Sequence, residues 1–153
     1  MFKRLQRFGL LVAFGLAAVA LLGACSSDED SSGEATGTPT ETSETTLAVT
    51  LSEWAVEPDA SSVPAGEVKF SVSNEGTVPH ELVIIRSEAA PDALPVEGGI
   101  VPEDEVDFVG EVEEFPAGET DSGSFNLDAG NYVLICNIPT HYEQGMRVAL
   151  KVE

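Results

Sequence analysis

The chain has 153 residues, enough for one domain with its own core, and 42% of them are hydrophobic, an ordinary fraction for a globular protein. Its charge is unusual, because 27 Asp and Glu residues outnumber seven Lys and Arg residues and give a formal net charge of -20 at pH 7. Such a surface repels nucleic acid and anionic lipid headgroups, which excludes both as electrostatic partners. It suits a basic partner protein, although the general acidity of a secreted or salt-adapted protein explains it equally well.

The first 24 residues have the pattern of a secretory signal. A positively charged start is formed by Lys3, Arg4 and Arg7. The apolar run that follows, residues 10–22, is shorter than the ~20 residues that a membrane-spanning helix needs. We therefore predict a cleaved signal peptide over residues 1–24, with an uncleaved membrane anchor as the alternative.

The end of this segment, Leu22-Gly23-Ala24-Cys25, resembles the lipobox of bacterial lipoproteins, in which the Cys becomes the first mature residue and carries lipid. A lipidated Cys25 would supply the second acyl chain that stable anchoring needs. Residues 26–46 are mostly Ser, Thr, Glu, Asp, Gly and Pro. This composition cannot bury enough surface to offset its ordering entropy, so we predict a lipidated Cys25 and a flexible, disordered acidic linker over residues 25–46.

From residue 47 onward the sequence changes to short runs of alternating or β-branched apolar residues, which predict strands. Seven runs have this pattern: residues 47–51, 68–73, 80–85, 106–112, 122–127, 131–136 and 146–152. Turn signals rich in Pro, Gly, Asn and Asp separate them, and residues 87–105 predict a loop with a short helix. No long helical period is present, so we predict an all-β, antiparallel sandwich domain over residues 47–153. Its predicted aromatic core residues are Trp54, Phe70, Phe108, Phe125 and Tyr132.

The soft metal ligands of the chain are few and grouped. It contains two His, two Cys and two Met. Without Met1 and Cys25, the set is His80, Cys136, His141 and Met146. Three of these four lie between residues 136 and 146, which marks the segment as a candidate metal-binding loop.

The chemistry of this set favours copper. Two imidazoles and one thiolate in a trigonal arrangement, with a weak and long axial thioether, form the blue-copper site. A single Cys in the domain excludes a zinc site built on paired cysteines, a copper pair bridged by two cysteines, and an internal disulfide. We therefore predict one copper ion bound by His80, Cys136 and His141, with Met146 as the axial ligand; another divalent ion such as zinc remains a possible occupant after purification.

Two stretches of the sequence resemble known motifs of the cupredoxin family. Residues 74–84, Asn-Glu-Gly-Thr-Val-Pro-His-Glu-Leu-Val-Ile, resemble its first-histidine motif, and residues 130–146 resemble its C-terminal ligand loop. The spacing Cys-x4-His-x4-Met is similar to that of the rusticyanin and sulfocyanin branch, whereas plastocyanin has a shorter loop. The resemblance implies a Greek-key β-sandwich (the cupredoxin fold), one type 1 copper ion and single-electron transfer.

The resemblance also implies a path for the electron. In cupredoxins it leaves through the exposed edge of the second histidine ligand, which corresponds to His141 here. Val78, Pro79, Ile138 and Pro139 are then expected to form an apolar collar around that edge. Redox partners use small, transient interfaces, which such a collar would serve.

Two residues depart from the common cupredoxin pattern. Thr140 replaces the Gly that precedes the second histidine in many relatives, and Glu81 replaces the Asn or Ser that follows the first. Glu81 still supplies the backbone N–H that usually reaches the Cys sulfur. Asn137 is expected to tie the ligand loop by side-chain hydrogen bonds, and Tyr142 either to shield the copper or to lie on the surface.

The function expected from these features is that of a monomeric, lipid-anchored electron carrier in the periplasm or at the cell surface. Its partners would be redox proteins, such as a cytochrome, that bind transiently. We expect no enzymatic activity, since no nucleophile–base pair or phosphate loop is evident. Two alternatives stay open: a protein that stores or delivers copper, and an interaction module whose redox chemistry serves nothing.

Overall fold

A computed structural model describes residues 45–153, so the predicted signal peptide, Cys25 and nearly all of the predicted linker lie outside the described residues. Nine strands occur in the described part: β1 (Thr45–Ser52), β2 (Ala55–Pro58), β3 (Ser62–Val63), β4 (Gly66–Asn74), β5 (His80–Arg86), β6 (Asp107–Phe115), β7 (Thr120–Leu127), β8 (Gly130–Ile135) and β9 (Arg147–Val152). One 3-10 turn (Glu103–Glu105) and one short helix, α1 (His141–Gln144), complete it. None of the helical segments found between residues 45 and 153 has the length and apolar character needed to cross a membrane.

The strands form two facing sheets, with the orders β2-β1-β4-β7 and β3-β9-β8-β5-β6. Alternation explains how they pack: in β4, Val68, Phe70 and Val72 are fully buried, while the residues between them are only partly covered. The inward faces of both sheets meet in one core cluster, which also contains Cys136 and Met146. The predicted all-β sandwich is confirmed.

The predicted antiparallel sandwich also contains two parallel strand pairs. β1 pairs with β4, and β3 with β9, in parallel orientation. After the β1–β2 hairpin, the chain crosses to the second sheet as β3 and then returns to the first sheet as β4. β4 therefore runs in the same direction as β1. This direction depends on the connection between the sheets, which the local alternation of apolar residues does not reveal.

The middle of the second sheet is buried on both faces, because β5 and β8 have apolar residues at consecutive positions. Leu82 and Ile84 of β5 face the main core, whereas Val83 and Ile85 face a second cluster. Leu94 and Val101 belong to that second cluster. The connection from β5 to β6 thus covers the outer face of the sheet, and its 3-10 turn confirms the predicted loop with a short helix.

The predicted aromatic core is right for three residues and wrong for two. Phe70 and Tyr132 are buried, and Phe125 packs against the core with its ring edge-on to Phe70. Trp54 and Phe108 are instead 39% and 37% exposed. Trp54 lies in the turn between β1 and β2, and Phe108 lies near the start of β6, a strand at the edge of its sheet.

Candidate metal centre

His80 is placed by the short connection between β4 and β5. The Asn74 side chain organises this connection: its Nδ2 donates to the carbonyls of Val78 (2.9 Å) and Phe115 (3.3 Å), and its Oδ1 accepts from the N–H of Gly76 (3.0 Å). The first residue of β5, His80, therefore enters the core with its side chain fully buried.

The other three candidate ligands lie on a loop that is closed by its own hydrogen bonds. Cys136 follows the last residue of β8, and its N–H donates to the carbonyl of Met146 (3.1 Å). The N–H of Met146 in turn donates to the carbonyl of His141 (3.1 Å), the first residue of α1. Thr140, which precedes it, has a left-handed φ of 75°, the conformation that Gly adopts without steric cost and that explains the Gly of many relatives.

These elements bring three of the four predicted ligands into contact. The Sγ atom of Cys136 lies 3.3 Å from Nδ1 of His141 and 3.7 Å from Nδ1 of His80, and the two Nδ1 atoms are 3.3 Å apart. Exposure is 0% for His80 and Cys136 and 8% for His141. Met146, also fully buried, lies in the same core cluster as Cys136.

The spacing of these atoms fits a bound metal ion. Metal–nitrogen and metal–sulfur bonds of about 2.0 and 2.3 Å place the ligand atoms of a trigonal site roughly 3.5–3.7 Å apart. The three observed separations are close to this range. Two imidazoles and a cysteine, with a buried methionine in the same core cluster, are also the ligand types of a type 1 copper site. The described residues thus fit the copper predicted from the sequence.

Burial keeps these ligands neutral until a metal binds. It raises the pKa of the Cys136 thiol to about 11, against an opposing effect of the backbone N–H groups of Glu81 and Ile138. Burial also lowers the pKa values of His80 and His141. The metal-free site consequently holds a thiol and neutral imidazoles, and metal binding must release the thiol proton. The Glu81 N–H acts on the sulfur as the resemblance implied.

The side chain of Glu81 lies in an electrostatic environment that includes the ligand loop. The backbone N–H of Asn137, directly after Cys136, acts to lower the pKa of its carboxyl group. Its pKa is nevertheless raised to about 7, first by burial and then by the neighbouring charge of Glu111, with Glu103 contributing less. Glu81 therefore places a carboxyl group with a raised pKa, within a strongly acidic neighbourhood, where many cupredoxins have Asn or Ser.

Two further loop residues connect the site to the segment over the second sheet. Asn137 exchanges two hydrogen bonds with the backbone of Val101, at 2.7 and 3.0 Å, as predicted. Tyr142 is 3% exposed, and its hydroxyl donates to the carbonyl of Pro91 and accepts from the N–H of Leu94. The expectation that Tyr142 lies on the surface is wrong, because it packs in the second core cluster and fastens α1 there, whereas its shielding of the copper stays a prediction.

Two residues that touch the candidate ligands were missed in the sequence, and both lie in the β1–β2 turn. Oε1 of Glu53 is 3.4 Å from Nε2 of His80. The ring of Trp54 packs edge-on against His141, with ring centroids 5.0 Å apart. No local signal identifies them, since each is more than twenty residues from its histidine along the chain.

Comparison with solved structures places the fold in one class, the cupredoxins. The structure matches auracyanin A, described as a "blue" copper protein, from Chloroflexus aurantiacus, with 23% identity, a TM-score of 0.54, and coverage of 72% of this chain and 99% of that one. Auracyanin B matches with 26% identity, a TM-score of 0.54, and coverage of 71% and 88%. Rusticyanin from Thiobacillus ferrooxidans matches with 18% identity, a TM-score of 0.50, and coverage of 71% and 76%. No match was found among curated protein sequences.

The family is defined more closely by the sequence. Residues 60–153 match the family model described as the sulfocyanin (SoxE) domain. This chain belongs to the sulfocyanin family, a member of the rusticyanin/sulfocyanin branch predicted from the spacing of the ligand loop. Its cofactor is one type 1 copper ion, and cupredoxins are in general electron carriers.

Proposed function

We propose that this protein is a single-electron carrier in an extracytoplasmic redox chain, with copper bound by His80, Cys136, His141 and Met146. The observation that carries the proposal is the convergence of the Nδ1, Nδ1 and Sγ atoms of His80, His141 and Cys136 within a buried site. Bound copper supplies the change between Cu(I) and Cu(II). The protein holds the metal ligands on β5, at the end of β8 and on a loop closed by its own hydrogen bonds. The ligands therefore move little when the copper changes oxidation state.

The surface near His141 supports an electron path through this ligand. Val78 is 37% exposed, and Pro79 and Pro139 are also exposed, whereas Ile138, the fourth residue of the expected collar, is partly buried against the core. Trp54 adds an exposed aromatic ring in contact with His141. A redox partner that docks here would approach the copper through one imidazole or one indole. The net charge of -20 favours a partner with a basic docking face.

Electron transfer can be separated from copper delivery in one experiment. The full chain is loaded with copper, half reduced, and examined for electron self-exchange by NMR line broadening. Release of Cu(I) to a competing chelator is followed in parallel. We expect electron exchange to be much faster than Cu(I) release, because the donors are buried and held by the fold. The zinc-loaded protein, which is redox-inert, provides the control.

The opposite result has a clear meaning. Rapid surrender of Cu(I) with negligible self-exchange would contradict the carrier function and support storage or delivery of copper.

We propose further that residues 1–24 are removed, that Cys25 anchors the protein to a bacterial membrane through lipid, and that residues 26–46 tether the domain as a monomer. Replacing Cys25 by alanine is expected to move the protein from the membrane fraction to the soluble fraction, because the acyl chains can no longer be attached. Ser26→Ala provides the control and should leave the distribution unchanged. Retention of Cys25→Ala in membranes would favour residues 10–22 as an uncleaved anchor.

A further inference from the structure

The Nε2 atom of His80 lies in an unusual position for a buried polar group. It is inaccessible to solvent, and among the described residues no protein group makes a hydrogen bond of good geometry with it. The closest acceptor is Oε1 of Glu53, at the ion-pair distance of 3.4 Å, which is long for a hydrogen bond. If Nδ1 of His80 binds the metal, the neutral ring carries its proton on Nε2 and needs an acceptor there.

The Glu53 carboxylate is held in place by the connection that precedes His80. Its Oε1 accepts from the backbone N–H groups of Thr77 (2.8 Å) and Val78 (3.1 Å). These bonds, that of Thr77 foremost, lower the pKa of Glu53, so the group is a carboxylate at neutral pH. One oxygen atom thus faces two backbone donors and the ligand imidazole, and the two backbone hydrogen bonds hold it in place.

The chain leaves room for this carboxylate through Gly76. A Cβ atom at this position would lie 2.6 Å from Oε1 of Glu53 and 2.9 Å from Nε2 of His80. Either the carboxylate or the imidazole would then have to move. The absence of a side chain at Gly76 is consequently a requirement for the contact between Glu53 and His80.

From these contacts we infer that Glu53 is a positioning residue of the metal centre, which orients His80 and increases the electron donation of its imidazole. This inference rests on the proposed copper function. A metal-bound histidine commonly donates its second N–H to a carboxylate, which fixes the tautomer and ring orientation and raises the basicity of the ligand nitrogen. A more basic nitrogen stabilises Cu(II) more than Cu(I), so the contact lowers the reduction potential.

The test compares the full-length wild-type protein with Glu53→Gln and Glu53→Ala. In Glu53→Gln a neutral oxygen still accepts from Thr77 and Val78, so the fold is kept while the negative charge is lost. We expect Cu(II) affinity to fall by about 10–100-fold, the usual effect of losing such a contact. Cu(I) affinity is expected to fall less. Each tenfold by which the loss of Cu(II) affinity exceeds the loss of Cu(I) affinity raises the reduction potential by about 59 mV.

Control variants separate this role from a structural one. Glu67 lies near the start of β4, whereas Asn74 lies at its end. Glu67→Gln removes the same charge there and should leave the potential unchanged. Gly76→Ala should raise the potential as Glu53→Gln does, because the added Cβ breaks the contact between Glu53 and His80, whichever of the two side chains moves. If Glu53→Gln matches Glu67→Gln in Cu(II) affinity and in potential, the inference is overturned, even if Glu53→Ala unfolds. A wild-type protein that gives no coloured Cu(II) complex overturns instead the proposed function.

Discussion

Replacing Cys136 by serine is expected to abolish the intense visible absorption of the Cu(II)-loaded protein. Copper affinity is expected to fall by more than about 100-fold, the largest loss usual for a residue that bonds to a metal ligand but not to the metal. The hydroxyl has nearly the shape of the thiol, but it lacks the soft sulfur that copper favours. The measurement is copper titration of the purified variant, followed by visible absorption and by competition with a chelator.

The second cysteine of the chain provides a matched control for this prediction. Cys25→Ser makes the same substitution outside the candidate centre and should leave the absorption unchanged. Far-UV circular dichroism checks that Cys136→Ser is folded, since Cys136 is fully buried. A folded Cys136→Ser protein that retains the full absorption would show that the thiolate is not a copper ligand.

Replacing Phe70 by alanine is expected to lower the free energy of unfolding by about 3–5 kcal/mol. The ring is 0% exposed, and it packs edge-on against Phe125 with centroids 5.9 Å apart, so its removal leaves a cavity between the sheets. The measurement is chemical denaturation of the metal-free protein, because bound copper would add its own binding energy to the stability.

Phe108→Ala is the matched control, because it deletes the same side chain at a position that is 37% exposed. We expect it to cost about 1 kcal/mol or less, since water already reaches this ring. Equal losses in the two variants would contradict the structural distinction between the buried and the exposed phenylalanine.

The strands and the ligands could be predicted from the sequence because both depend on local patterns. Alternation of apolar and polar residues over 68–73 indicates a strand with one buried face. The consecutive apolar residues within 131–136 indicate a strand that is buried on both faces. The spacing of Cys136, His141 and Met146 reports a metal-binding loop, because so few other soft ligands exist in the chain. In each case neighbouring residues carry the whole signal.

Features that depend on distant parts of the chain could not be predicted in this way. Strands β2 and β3 have four and two residues, too few for a visible alternation. The parallel pairing of β1 with β4 depends on how the chain crosses between the sheets. Tyr142 had no visible partner in the sequence, because the backbone groups that bond to its hydroxyl lie about fifty residues earlier.

The contacts of the β1–β2 turn illustrate the same limit at the metal centre. Glu53 is one of 27 acidic residues, and nothing in its immediate sequence distinguishes it from the others. Trp54 has a large aromatic side chain of the kind usually found in a core, yet it stays 39% exposed because its ring lies against His141 at the surface. Only the folded arrangement places this turn over both histidines.

The acidic residues along β6 also bear on solubility. This strand forms an edge of its sheet, where unpaired backbone groups invite a strand from a second molecule. Four of its nine residues are acidic: Asp107, Glu111, Glu113 and Glu114. A second copy would align the same charges opposite these, and the nearby Glu103 and Glu113 already help raise the pKa of Glu111. Mutual repulsion therefore protects this edge against strand-to-strand aggregation, even where many copies crowd together.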